Sequence, residues 1–249
     1  MTTHLYCILP GELHDALPPE LSGVDGAPVR TLPVEHMVAW VSDVERELPV
    51  SVEGVRAHDA VVEAALDTGS TPVPARFGQR FPSDDACRNA LANRAASVET
   101  LVAAVQGFVE MTLILTPSTR RILRDLQPVL PELVEAEAAG PGKAYLHMLR
   151  TREAATATVR RAMDGLAKRL VDATTSLTRE TRTHDQTSRL PLRTLSQLIA
   201  RRDVEEYRLA TSAVESGQEF RFLVIGPRAP YSFCSLGPDG GMHGMKLAD

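Results

Sequence analysis

HDAVVEAALDTGSTPVPARFGQRF, residues His58 to Phe81, decides the fold, because a helix, a sharp break and a strand follow one another within it. Val55, Val62 and Leu66 recur at steps of seven and four, with His58 and Asp59 in the intervening turn, which is the spacing of one face of an amphipathic helix. Gly69 stops that helix, since a residue without a Cβ enters the left-handed conformation that ends helices. Pro72 and Pro74 then hold the backbone extended and each removes an N–H donor, so Val73 to Phe77 reads as a short strand at a sheet edge, closed by Gly78. Along such a strand Arg76 and Phe77 point to opposite faces, Phe77 toward a core.

Upstream, Ser51 is the expected N-cap of the helix, with Glu53 in the first turn where the dipole favours an acid. His4 to Leu9, Val29 to Leu32 and His36 to Val41 read as three strands, the last carrying the single Trp40. Downstream, Ser83 with Asp84 and Asp85 opens a second helix. Leu91, Ala95, Val98, Leu101, Val102 and Val105 continue it to Gly107, and Phe108 to Leu115 alternates as a strand. This order predicts an α+β class, with residues 1–117 forming a ferredoxin-like sandwich of two helices against one face of a mostly antiparallel sheet.

Pro117 opens a second domain, residues 118–249. Ser118 to Gln127 has helical spacing before Pro128 and Pro131 interrupt it. A long helix then runs from about 142 to 184, with Val159, Met163, Leu166, Leu170, Ala173 and Leu177 as an apolar seam. Its expected partner is the segment around Ile122 to Val134, folded back as a hairpin; another protein is the alternative. Thr183 to Pro191 reads as a loop, Leu195 to Ala200 as a strand, Val204 to Ser216 as a helix, and Phe220 to Ile225 as a strand. Pro230 to Phe233 continues extended, and the Gly- and Met-rich tail 237–249 is expected to be flexible.

The net charge of −5 hides an asymmetry: residues 1–117 carry 7 Lys and Arg against 16 Asp and Glu, a balance of −9, and residues 118–249 carry 20 against 16, a balance of +4. Opposite signs on the two halves favour their docking on one another or head-to-tail association with neighbours, with solvated charge on both as the alternative, and argue against a general nucleic-acid binder, as does an aromatic content of only 4%, too low for base-stacking platforms. Cys7, Cys87 and Cys234 are odd in number and lack paired ligand spacing, the pattern of reduced thiols in a cytoplasmic protein. The N-terminus has no basic n-region followed by an apolar run, and no segment reaches the roughly 20 apolar residues of a membrane helix.

Catalytic chemistry has one sequence candidate. His58 beside Asp59 could act as a general base, but neighbours on a helix diverge by about 100°, so a core or interface histidine with one satisfied hydrogen bond is the simpler reading. The other histidines show no zinc spacing, and no phosphate-binding or nucleophile-elbow motif is present. Met242, His243 and Met245 have donor atoms for a soft metal ion, yet a frayed tail explains them as well. No cofactor, metal or small-molecule substrate is expected. The alternative is a small-molecule enzyme or sensor in which His58 and Arg76 line one concave cavity.

HDAVVEAAL followed by PARFGQRF resembles the GvpF/GvpL family of gas-vesicle proteins, in which a helix with a His-acid pair leads into a PVRFG-type strand. PGKAYL at Pro141 to Leu146, GPRAPYSF at Gly226 to Phe233 and the YCILP start extend the resemblance over most of the chain. The chain departs from the family pattern at Ala75, Gln79, Arg80 and Arg228-Ala229. The resemblance implies a non-enzymatic protein of gas-vesicle assembly, located in the cytoplasm and at the gas vesicle, in contact with the major shell protein and other accessory proteins. Its protein-interaction residues would be Arg76, Phe77 and Gly78 in the turn, Lys143 and Tyr145 on the long helix, and Pro230, Tyr231 and Phe233 near the C-terminus. Phe77, Tyr231 and Phe233 have an equal claim as anchors of their own domains.

Overall fold

A computed structural model describes residues 1–45, 50–118, 141–187, 191–217, 220–236 and 242–243. The class is α+β, and the chain divides into two compact units: Met1–Glu110 with Pro227–Asp249, and Met111–Gly226. Where sequence placed one division at Pro117, the chain of the first unit runs to Glu110 and resumes at Pro227.

The first unit is built on β1 (Thr2–Pro10), β2 (Arg30–Val34) and β3 (Met37–Val44), followed by α1 (Val52–Asp67), β4 (Val73–Pro74), β5 (Arg80–Phe81), α2 (Asp84–Ala92) and α3 (Ala95–Val105). The strands form an antiparallel sheet in the order β2-β3-β1-β4, with β5 also pairing β1. Between β1 and β2 the chain makes two 3-10 turns, Gly11–Ala16 and Val24–Gly26. A β-bulge between Leu5 and Cys7 inserts Tyr6 against β3 and shifts the alternation of β1.

Both faces of β1 and β3 are buried, so each face needs its own cover. The expectation of two helices on one face is corrected accordingly. Leu5, Ile8, Ala39 and Val41 pack with Leu91, Val98, Val102 and Val105 of α2 and α3. Tyr6, Leu9, Val38 and Trp40 pack with Val61, Val62 and Ala65 of α1. Ser51 caps α1 by accepting from the Gly54 N–H, and Ser83 caps α2 through the Ala86 N–H, as expected. The buried stripe of α1 is Gly54, His58, Val61, Val62, Ala65 and Leu66, whereas Val55 is 42% exposed. The single helix expected from Ser83 breaks at Arg94 (φ −128°, ψ 16°), which re-aims α3 so that its valines meet the sheet.

The second unit continues from β6 (Phe108–Pro117) through α4 (Pro141–Thr174), β7 (Thr178–Thr187), β8 (Pro191–Ala200), α5 (Val204–Ser212) and β9 (Phe220–Arg228); β10 (Ser235–Leu236) and β11 (Met242–His243) follow and belong to the first unit. Its sheet has the order β7-β8-β6-β9. The long helix ends at Thr174, ten residues before the expected His184. Thr174 and Thr175 turn their hydroxyls back onto the carbonyls of Leu170 and Val171, and the β-branched run that follows pairs with β8 from Thr178 to Thr187 in place of the expected loop. The seam residues Val159, Met163, Leu166 and Leu170 do find a partner in their own unit: Leu113 and Leu115 of β6, Leu195 of β8 and Phe220 of β9. The hairpin partner expected near Ile122 to Val134, and residues 237–241 and 244–249 of the tail, lie outside the described residues.

Candidate functional site

The site is the corner around α1, where the sequence motifs meet. His58 and Asp59 leave the helix in different directions, as their spacing requires. His58 enters the core at 2% exposure. Its Nε2 lies 3.0 Å from the Ala75 carbonyl and its Nδ1 lies 2.9 Å from His4 Nε2. Donation from His58 Nε2–H to that carbonyl leaves Nδ1 as an acceptor, so His4 Nε2–H must donate to it. His4 Nδ1 then has no hydrogen-bond partner among the described residues. Burial, then the neighbouring His58 and Arg80, pushes His4 down to about 3; burial also lowers His58, against the opposing bond to Ala75 and the charge of Asp59. Two neutral imidazoles thus sit among the rings of Tyr6 and Phe77.

The expected strand Val73 to Phe77 is shorter. After Pro74, Ala75 donates its N–H to the Tyr6 carbonyl at 2.8 Å, and the chain leaves β1 in a turn from Arg76 to Gln79. Gly78 holds the third position at φ +88°, a conformation that a side chain disfavours. Phe77 folds inward against the α1 cluster, and a Cβ on Gly54 would lie 3.1 Å from its ring, so turn and helix are in close contact. Arg76 is exposed. His58 and Arg76 therefore do not line one cavity.

The C-terminal motif docks on the same helix. Arg228 reaches Asp59 and Glu63, one turn apart on α1, with Nε 3.0 Å from Glu63 Oε1. Burial raises the Glu63 carboxyl, with the Arg228 bond opposing. Ala229 and Tyr231 join the α1 cluster, and burial pushes the Tyr231 phenol above its ordinary range. Ser232 donates from N–H and Oγ to the two oxygens of Glu110, at 2.8 and 2.6 Å. The segment is not extended as expected: Phe233 and Cys234 both donate to the Pro230 carbonyl, closing a helical turn.

Of the sequence-predicted residues, Arg76, Phe77 and Gly78 form the turn against α1. Pro230 and Phe233 are buried and Tyr231 is half-buried in the first unit. Lys143 and Tyr145 belong to the first turns of α4, and their side chains lie outside the described residues. Sequence reasoning missed Arg228 as the partner of Asp59 and missed Glu110, whose only signal was a carboxylate in an apolar strand. It also missed an exposed apolar group at the start of α1: Val50, Val52 and Val55 are 83, 61 and 42% exposed. Among the described residues no cluster of His, Cys, Asp and Glu could hold a metal ion.

The model of the family described as gas vesicle synthesis protein GvpL/GvpF matches residues 2–235. Among solved structures, gas vesicle protein GvpF from Microcystis aeruginosa is similar, with a TM-score of 0.71 and 19% identity over 93% of this chain and 98% of that one. Gas vesicle protein GvpF from an Anabaena species has the same TM-score, 0.71, with 17% identity over 93% of this chain and 97% of that one. At these identities the likeness is one of fold. A comparison with curated proteins gives no match.

Proposed function

The chain belongs to the gas vesicle synthesis protein GvpL/GvpF family, and from that membership we propose that it serves gas-vesicle assembly as an accessory or minor structural protein. It acts without catalysis, through contacts with the major shell protein and other accessory proteins, in the cytoplasm and at the vesicle. The observation that carries this reading is the family match over residues 2–235. The use made of His58 supports the non-catalytic part, because both ring nitrogens are committed to internal partners. No helix among the described residues is long and apolar enough to cross a membrane.

The contact surface we favour is the turn Arg76 to Gly78 together with the adjoining start of α1. Phe77 packed on Gly54 holds the two together, and Val50, Val52, Val55 and Arg76 are presented outward. Exposed aliphatic side chains beside a cation suit a partner with an apolar, acid-rimmed face. The test is co-purification with the shell protein from a vesicle-forming host. Wild-type chain should retain the shell protein, and the double variant Val52→Asp, Arg76→Glu should lose it while keeping the Trp40 fluorescence of a folded first unit. Equal recovery with both chains would refute this surface. Normal vesicles after deletion of the gene, in a host with no second family member, would refute the function.

A further inference from the structure

We infer that residues 1–110 form a receptor for a short peptide, that Pro227–Leu236 of the same chain is its resident ligand, and that a second copy can supply the same segment in trans. This does not depend on the gas-vesicle reading. The contacts can be read in order along the ligand. Arg228 enters a two-carboxylate clamp, Asp59 and Glu63. Ala229 and Tyr231 then pack with Val61, Val62 and Ala65 of α1 and with Tyr6 and Leu9 of β1. Ser232 gives both its donors to Glu110, and Phe233 and Cys234 are buried. A cation, a small residue, an aromatic ring and serine are thus each matched by a group of fitting chemistry, and one positive charge meets acidic groups.

Receptor and ligand are remote in sequence, since these hydrogen bonds span 122 to 169 residues. Docking the segment therefore resembles the binding of a separate peptide at a concentration set by loop closure. Gly226, at φ +127° within β9, immediately precedes Pro227 in a conformation that a side chain disfavours. Every copy carries the identical segment, so whatever fits in cis also fits from a neighbour, the condition for exchange between protomers.

Hydrogen exchange on the wild-type chain tests the separability of the ligand. Backbone amides from Ala229 to Cys234 should exchange as one block, about tenfold or more faster than those of β1 and β3. Equal protection of the block and the strands would overturn the inference. The trans step uses two full-length chains, one with its ligand disabled (Arg228→Ala, Tyr231→Ala) and one with its receptor disabled (Asp59→Asn, Glu63→Gln). Mixed, they should give a species of twice the 27.1 kDa monomer mass by size exclusion with light scattering, and neither alone should do so. A mixture of folded chains that stays at the monomer mass overturns it. If a double variant does not fold, Arg228→Ala alone decides, with a fluorescent peptide of residues 227–236. Saturable binding that Asp59→Asn on the same chain weakens about tenfold, the cost of one charged contact at ~1.4 kcal/mol, supports the receptor; no binding up to millimolar peptide overturns it.

Discussion

Acidification should weaken the first unit well before its carboxylates are protonated, and His4 supplies most of a calculable effect. Burial, with His58 and Arg80 adding charge repulsion, moves its folded-state value from 6.5 to about 3. Below pH 6.5 the unfolded chain takes up a proton that the folded chain refuses, so stability is full above 6.5 and falls as pH decreases toward 3. At pH 5 the loss from His4 alone is about 2 kcal/mol, roughly a thirtyfold change in the folded ratio. His58, lowered by burial, adds in the same direction. Glu63, raised by burial, opposes from its ordinary range upward, and Asp84, lowered by the bond to Arg30, matters only below its ordinary range. The assay is urea unfolding at pH 7.5 and pH 5, read by Trp40, the single tryptophan and part of the α1 cluster. His4→Gln is the comparison, because its amide can donate to His58 Nδ1 without titrating. Wild type should lose about 2 kcal/mol more than His4→Gln between the two pH values. Equal losses would show that the buried imidazole pair does not control acid stability.

Three further substitutions test local packing and capping, two in the first unit and one in the second. Gly23→Ala would place a Cβ 2.0 Å from the Tyr6 hydroxyl, which is fixed by Ser42 and the Val24 N–H, and should cost about 2 kcal/mol or more in urea unfolding, more than Gly26→Ala, where nothing lies within 4 Å and only the backbone, at φ +71°, is strained. Ser51→Ala removes the cap on α1 and should cost about 1 kcal/mol by the same measurement. In the second unit, Tyr207→Phe deletes the 2.6 Å bond to Gln197 and leaves a buried acceptor short of a donor, a loss of about 1 to 3 kcal/mol that far-ultraviolet circular dichroism should register as a lowered melting temperature.

The parts of the fold legible in the sequence are those with local causes. Ser51 and Ser83 cap helices, and Gly69 and Gly78 adopt positive φ where a helix and a turn end, because one or two residues decide each event. The errors arise where a choice depends on distant chain. Val55, Val62 and Leu66 fit a helical period, but so do Gly54, His58, Val61 and Ala65, and only the sheet beneath determines which stripe is buried. β1 is apolar on both faces, so its pattern could not say that α1 takes one side and α2 with α3 the other. Thr178 to Thr187 follows α4 without glycine or proline, and becomes a strand because β8 is there to pair with it.

The same distinction explains the site. The motifs HDAVVEAAL, PARFGQRF and GPRAPYSF stand far apart in sequence, yet each supplies a partner to another: His58 to Ala75, Asp59 to Arg228, Phe77 and Tyr231 to one apolar cluster. What marks them out is their dependence on one another, which does not require that they be exposed. In a chain with 4% aromatic residues, Tyr6, Trp40, Phe77, Tyr231 and Phe233 are all drawn wholly or partly into the first unit. Phe77 and Tyr231, half-buried, pack in the α1 cluster, and Phe233 is fully buried. The contact surface proposed above therefore rests on the outward side chains of the same corner, Arg76 and the valines at the head of the helix, which the buried motifs hold in place.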